Sequence, residues 1–197
     1  MSGAIFLDRD GTINIDKDYV YKIEDWEFLP HVLEGLNILS HRGYKFVIVT
    51  NQSGIGRGYY SQHDMEKLHN YVTSLLKENN IEIAGIYFCP HKPSENCNCR
   101  KPKTELLKKA AEDLNINLYE SYFIGDKTCD IKMGRDSGCK TIMVQTGKGG
   151  KDGEYNAVPD FIASDLYEAA MLIVRGDIHA SRTYDRLRQN KNLPVKR

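Results

Sequence analysis

Ala4-Ile5-Phe6-Leu7-Asp8-Arg9-Asp10-Gly11-Thr12 decides the reading of this chain. Four apolar residues run straight into two aspartates separated by one residue, then a glycine and a threonine. A short continuous apolar run suits a strand buried on both faces, as in a parallel sheet. Open parallel sheets place ligands at the carboxyl ends of their strands. Asp8 and Asp10 are therefore expected at the strand exit, and Gly11 permits the sharp departure that follows. Two carboxylates at one strand tip repel each other, and a hard divalent ion such as Mg²⁺ offsets that repulsion through oxygen ligands. A plain polar turn has the same letters, because Asp-Gly is common turn chemistry. The other strands decide between the two.

Outward from this strand the pattern repeats. Phe46-Val47-Ile48-Val49 runs into Thr50-Asn51-Gln52-Ser53-Gly54-Ile55-Gly56-Arg57-Gly58, a loop that can offer N–H groups and a hydroxyl to a phosphate. Tyr122-Phe123-Ile124 runs into Gly125-Asp126-Lys127. Ile83 to Phe88 and Thr141 to Val144 read as further strands, with Phe161-Ile162 at an edge. Helical stripes lie between them: Leu33, Leu36 and Leu39 up to Gly43, and Met65, Leu68, Val72, Leu75 and Leu76 behind a capping-box start at Ser61 to Asp64. Another runs through Leu106, Leu107, Ala110, Ala111 and Leu114, with Pro102 suited to its first turn. A short helix stops at Gly138, and a last one covers roughly 164–175.

Strands alternating with helices predict an α/β, doubly wound parallel sheet. Three strand ends then carry Asp8 and Asp10, Thr50, and Asp126 with Lys127 to one edge, the groups that phosphoryl transfer needs. The long polar connection over 13–30, with Asp16, Asp18, Tyr19 and Tyr21, is expected to be functional. Thr146 to Gly150 reads as a mobile loop, and His63 and His69 as surface or half-buried structural residues.

The 197 residues suit one domain, taken as 1–175, with a basic extension over 176–197. Acids and bases balance at 27 each, but after Val174 seven Lys/Arg face two Asp, leaving the body at −5. That balance predicts neither a nucleic-acid nor a membrane partner. No apolar stretch approaches the roughly 18 residues of a membrane span, and the start lacks a signal-peptide pattern. A cytoplasmic monomer is the expectation.

Three of the five cysteines crowd around one histidine. Cys89-Pro90-His91 and Cys97-Asn98-Cys99 form a Cys-x-His-x5-Cys-x-Cys pattern. Three thiolates and one imidazole match a closed, four-coordinate, structural zinc site in a reducing compartment. Such a site fixes the loop over 89–101 and sets Arg100 and Lys101 over the sheet edge. Cys129 and Cys139 have no such grouping and read as small core residues.

Phe6 to Thr12, Thr50 to Gly54, the zinc pattern running into Cys99-Arg100-Lys101-Pro102, and Gly125-Asp126-Lys127 together resemble the haloacid dehalogenase superfamily. Within it they are similar to the zinc-containing branch of heptose-bisphosphate and histidinol-phosphate phosphatases. The likeness covers about residues 4–150. It implies a fold without a large cap domain and Mg²⁺-dependent hydrolysis of a phosphomonoester through an aspartyl-phosphate. By this likeness Asp8 is the nucleophile and Asp10 the general acid and base, while Thr50 and Lys101 stabilise the phosphoryl oxygens. Mg²⁺ is held by Asp8, the main-chain carbonyl of Asp10, and Asp126. Asp16, Tyr19, Asn51, Ser53, Arg57, Arg100 and Lys127 are implied substrate contacts.

The likeness of Thr50 to Tyr59, Gly125-Asp126-Lys127 and Thr146-Gly147-Lys148 to the heptose enzymes implies a heptose 1,7-bisphosphate cleaved at C7, and Arg57, Arg100 and Lys127 suit its second phosphate. The short gap between His91 and Cys97 instead resembles the histidinol-phosphate enzymes. A phosphate-binding module without catalysis is the remote third reading, and a paired Asp8 and Asp10 argues against it.

Overall fold

The computed structural model describes residues 3–176. They build one sheet from β1 (Ala4–Leu7), β2 (Lys45–Asn51), β3 (Ile83–Cys89), β4 (Tyr122–Gly125), β5 (Lys140–Val144) and β6 (Phe161–Ala163). The strand order is β3-β2-β1-β4-β5-β6, and every pairing is parallel. Parallel neighbours need crossovers. These carry α1 (Val32–Ser40), α2 (Ser53–Gly56), α3 (Gln62–Glu78), α4 (Glu105–Leu114) and α5 (Thr128–Asp136), and α6 (Leu166–Arg175) closes the described chain.

Alternation along β1 shows why its apolar run has no polar gap. Ile5 and Leu7 pack into a cluster with Leu36 of α1, Leu68 and Val72 of α3, and Ala169 and Ile173 of α6. Ala4 and Phe6 face the other way, toward Leu107 and Ala110 of α4 and Met133 of α5. Both faces are covered, so both sets of side chains must be apolar. Phe6 stacks on Phe123 of β4 with ring centroids 6.5 Å apart. Burying a side chain of this size contributes about 1.5–3 kcal/mol.

The chain leaves β1 for β2 and β3 on one side, then returns to β4 on the other. That reversal opens a crevice at the carboxyl end of β1, where open α/β sheets bind ligands.

The structure adds local detail to the sequence reading and changes three of its expectations. α4 starts at Glu105, not at Pro102. The main chain of Lys101 is held at both its N–H and its carbonyl by the Asn51 side chain, so the segment entering the helix is fixed by a tertiary contact and Thr104 is the N-cap. The connection over 13–30 carries its own pairing. Ile15 N donates to Glu27 O and Leu29 N to Ile13 O, at 2.9 and 3.0 Å. His69 is buried on α3, while His63 is exposed as expected. Thr146 to Gly150 is tied to the sheet edge, as described below.

The capping box of α3 is present: Asp64 N donates to Ser61 Oγ and Ser61 N donates back to the Asp64 carboxylate. Cys129 and Cys139 are buried core residues. Apart from Gly176, the basic extension lies outside the described residues. Among those described, no helix is long and apolar enough to cross a membrane.

Candidate active site

Asp8 is the first residue past β1, and its N–H continues the ladder to Ile124 O at 3.0 Å. Its carboxylate is buried and meets the ammonium of Lys101, with Oδ1 accepting at 2.6 Å. The same ammonium pairs with Asp130 Oδ1 at 2.6 Å and donates to Val49 O at 3.0 Å. Lys101 thus reaches the floor of the site from the segment that follows the cysteine cluster. Burial works against its charge, but Asp130 and Asp8 together hold the ammonium well above the ordinary lysine range.

Asp126, on the residue after β4, completes a group of three carboxylates. Oxygens of Asp8, Asp126 and Asp130 all lie within 4.8 Å of one another. Burial, then the charges of Asp8 and Asp130, push Asp126 up to about 8. Burial and Asp8 push Asp130 up to about 6. Asp126 Oδ2 accepts from Lys148 N at 2.7 Å, while the fully buried Oδ1 has no hydrogen-bond partner among the described residues. A buried carboxylate oxygen without a donor, amid like charges, fits a hard cation with oxygen ligands. Gly11 leaves room for this group: at φ +87° it adopts a backbone unfavourable to other residues, and a Cβ there would fall 2.5 Å from Asp126 Oδ2.

Asp10 is not one of that group and has its own partners. Both its oxygens accept from Arg9 Nη2 at 2.9 Å, one also from Asn14 Nδ2 at 2.9 Å, the other from Gln52 Nε2 at 3.0 Å. Burial opposes ionisation, yet the Arg9 charge and these hydrogen bonds hold the carboxyl below its usual range. Arg9 is itself buried, donating to Val20 O at 2.7 Å and lying 3.2 Å from His69 Nε2. Burial and the Arg9 charge depress His69 to about 3, so it is neutral and accepts from Arg9. Thr50, buried near the end of β2, accepts from Gln52 Nε2 at 2.9 Å.

The remaining residues separate into groups. Lys127 is 3.3 Å from Asp16, and although burial opposes its charge, Asp8, Asp126 and Asp16 keep it protonated. Asp16 also accepts from Asp18 N, holding a turn in which Asp18 and Tyr19 are left-handed. The Tyr19 ring meets Tyr59 edge-on at 4.9 Å, so the two loops touch through these rings. Asn51 bonds the main chain of Lys101, donating to O at 3.4 Å and accepting from N at 3.0 Å. Ser53 opens α2, and Arg57 is exposed just after it. Arg100 Nη1 donates to His91 O at 3.3 Å.

The glycine-rich loop leans on the cysteine loop. Its Gln52 and Gly56 N–H groups donate to Cys89 O and Pro90 O, both at 2.8 Å, so these two are taken up by protein carbonyls. Thr146 Oγ1 donates to Gly11 O, and Gly150 N to Asp126 O, both at 2.7 Å. With Lys148 N on the Asp126 carboxylate, these bonds pin the segment read as mobile.

Cys89, His91, Cys97 and Cys99 bring one ligand atom each within 4.8 Å of the others. Cys89 Sγ lies 3.4 Å from Cys97 Sγ and 3.1 Å from Cys99 Sγ, too far for disulfides. His91 Nδ1 lies 3.2 Å from Cys99 Sγ. Four soft donors around one centre fit zinc and leave no open position. Burial pushes the Cys89 thiol up; against burial, hydrogen bonds from Cys89 and Cys99 lower Cys97 to about 7.

Sequence reasoning missed Asp130, Arg9, His69 and Gln52 as parts of this site. Asp130 lies three residues after Lys127 and its carboxylate accepts from Lys127 N at 3.0 Å, a helix-cap spacing visible in the sequence.

The family model for HAD-hydrolase-like proteins matches residues 98–169. A D-glycero-beta-D-manno-heptose-1,7-bisphosphate 7-phosphatase of Haemophilus influenzae is 38% identical over 182 residues, spanning 89% of this chain and 98% of that relative. One of the same name from Helicobacter pylori is 50% identical over 142 residues, or 72% of this chain and 82% of the relative. Among solved structures, a D,D-heptose 1,7-bisphosphate phosphatase from B. bronchiseptica, complexed with magnesium and phosphate, superposes with a TM-score of 0.80. It is 28% identical, with 88% of this chain and 99% of that chain covered.

Proposed function

We propose a reaction for this chain from its membership, since it belongs to the haloacid dehalogenase-like hydrolases, in the family of the heptose-1,7-bisphosphate 7-phosphatases. It removes the C7 phosphate of D-glycero-D-manno-heptose 1,7-bisphosphate through an aspartyl-phosphate. The observation that carries this reading is the buried Asp8–Lys101–Asp130 contact beside Asp126, in a chain similar to such enzymes along most of its length.

Asp8 attacks phosphorus, and the sugar alkoxide leaves with a proton from Asp10. Water then cleaves the aspartyl-phosphate, Asp10 takes its proton, and inorganic phosphate departs. At rest Arg9, Asn14 and Gln52 hold Asp10 as the carboxylate, the form needed for the second half. The incoming phosphate dianion raises its proton affinity, so Asp10 takes up a proton from solvent as substrate binds and carries it into the first half. The Lys101 ammonium and the Thr50 hydroxyl face the charge that gathers on the equatorial oxygens.

Asp8, Asp126, Asp130 and the main chain of Asp10 are the candidate holders of Mg²⁺. That ion supplies charge neutralisation between nucleophile and phosphate. Cys89, His91, Cys97 and Cys99 would hold a structural zinc. Residues 1–175 form the single catalytic domain. Lys127, Asp16, Tyr19, Arg57 and Arg100 are substrate contacts, with Ser53 at the start of α2.

The test measures phosphate release with Mg²⁺ from heptose 1,7-bisphosphate and from histidinol phosphate, wild type against Asp8→Asn. Preference for the bisphosphate, lost in the variant, is expected. Preference for histidinol phosphate would overturn the substrate, and turnover of neither would overturn the enzyme reading.

A further inference from the structure

Gln52 lies between Asp10 and Thr50 and touches both. Its Nε2 donates to Asp10 Oδ2 at 3.0 Å and to Thr50 Oγ1 at 2.9 Å. Its Oε1 accepts from the Tyr60 hydroxyl at 2.7 Å. The amide can point only one way. A carboxylate accepts and never donates, so the nitrogen faces Asp10 and the oxygen faces Tyr60. Tyr60 keeps its proton to donate, because burial pushes its hydroxyl up to about 12.

Tyr60 is fixed in turn. Its ring stacks on Tyr21 with centroids 4.7 Å apart and planes 10° from parallel. It also presses against Gly54, where a Cβ would fall 2.1 Å from Tyr60 Cε1. The glycine at 54 therefore gives this ring the room it occupies.

We infer that Gln52 is a positioning residue that ties the acid–base carboxylate to the phosphoryl-binding hydroxyl. Both amide hydrogens are in use. One holds Asp10 Oδ2, which Arg9 also holds, while Asn14 holds Oδ1. The other occupies an acceptor position on Thr50 Oγ1, which leaves the Thr50 proton free to be donated to a phosphoryl oxygen. Gln52 touches no reacting atom itself, and this role rests on the phosphatase reading above.

The test compares wild type, Gln52→Ala and Tyr60→Phe on heptose 1,7-bisphosphate and on p-nitrophenyl phosphate, alongside thermal melts. Nitrophenolate leaves without a proton, so only the sugar phosphate needs the acid function of Asp10. Gln52→Ala should lower kcat on the sugar phosphate by about 100-fold and on the nitrophenyl ester by about 10-fold, with KM little changed. Tyr60→Phe should show the same ordering with smaller losses, since it removes only the bond that orients the amide. Unchanged kcat, or equal losses on both substrates that track a lower melting temperature, would overturn the inference. Should Gln52→Ala fail to fold, the ordering in Tyr60→Phe decides. Wild-type protein inactive on both substrates would overturn the phosphatase reading instead, a separate outcome visible before any variant is made.

Discussion

Nζ of Lys101 lies 2.6 Å from Oδ1 of Asp8, across 93 residues of sequence. Asp130 takes the same ammonium at an equal distance, so the lysine is shared between two buried acids. This sharing makes Asp8→Asn a clean probe. Asparagine keeps the shape, and Lys101 keeps Asp130 as its counter-ion. Phosphate release should fall about 10³-fold or more while the melting temperature stays near wild type. Substantial residual turnover would remove Asp8 from the nucleophile role.

Removing the lysine has the opposite balance. Lys101→Met leaves Asp8 and Asp130 buried without their common cation, and breaking a buried pair from one side costs about 3–5 kcal/mol. Denaturant unfolding should register that loss, and added Mg²⁺ should return part of it by compensating the same acids. A variant as stable as wild type, with and without Mg²⁺, would mean the acids do not depend on Lys101.

The strands were legible because both faces of the sheet are covered, so runs such as Ala4 to Leu7 and Phe46 to Val49 have no polar gap. Asp8, Thr50 and Asp126 were legible for a related reason: each abrupt change from apolar to polar marks a strand end, and parallel topology brings those ends together. Local spacing does not show which distant main chain a side chain will bond. Asn51 reads as a substrate contact, and only the fold shows that it also holds the backbone of Lys101; Pro102 reads as a helix start, yet the helix begins at Glu105. Arg9 reads as a spacer between two aspartates, and only the fold shows it buried between Asp10, Val20 and His69.

The acid cluster predicts a pH-dependent response to Mg²⁺. Asp126 at about 8 and Asp130 at about 6 both lie above the ordinary 3.8 of the unfolded chain. The folded protein therefore holds protons that the unfolded chain has released, and without a cation its stability falls as pH rises from about 4 to about 8. Mg²⁺ competes with those protons, so its stabilisation should grow over the same window. At 100-fold excess over Kd the gain is about 2.7 kcal/mol, or roughly 5–10 °C for a domain of this size. Melts in EDTA and in Mg²⁺ at pH 5.5, 7 and 8.5 should diverge with pH. A constant gap would place the cation away from Asp126 and Asp130.

The cysteine loop is coupled to the catalytic floor through main chain. Gln52 and Gly56 donate to Cys89 and Pro90, and the loop runs on through Cys99 to Lys101, which Asn51 grips. Ligand binding there is linked to folding, so Cys97→Ser should lose zinc and melt about 5–10 °C lower. Turnover should fall with it even at temperatures where the variant is folded, because Lys101 and Gln52 lose the scaffold that sets them. The discriminating measurement is kcat at 20 °C beside zinc content by metal analysis, wild type against Cys97→Ser. A variant that lacks zinc yet keeps wild-type kcat would show that the loop stabilises the fold without positioning Lys101 for the reaction.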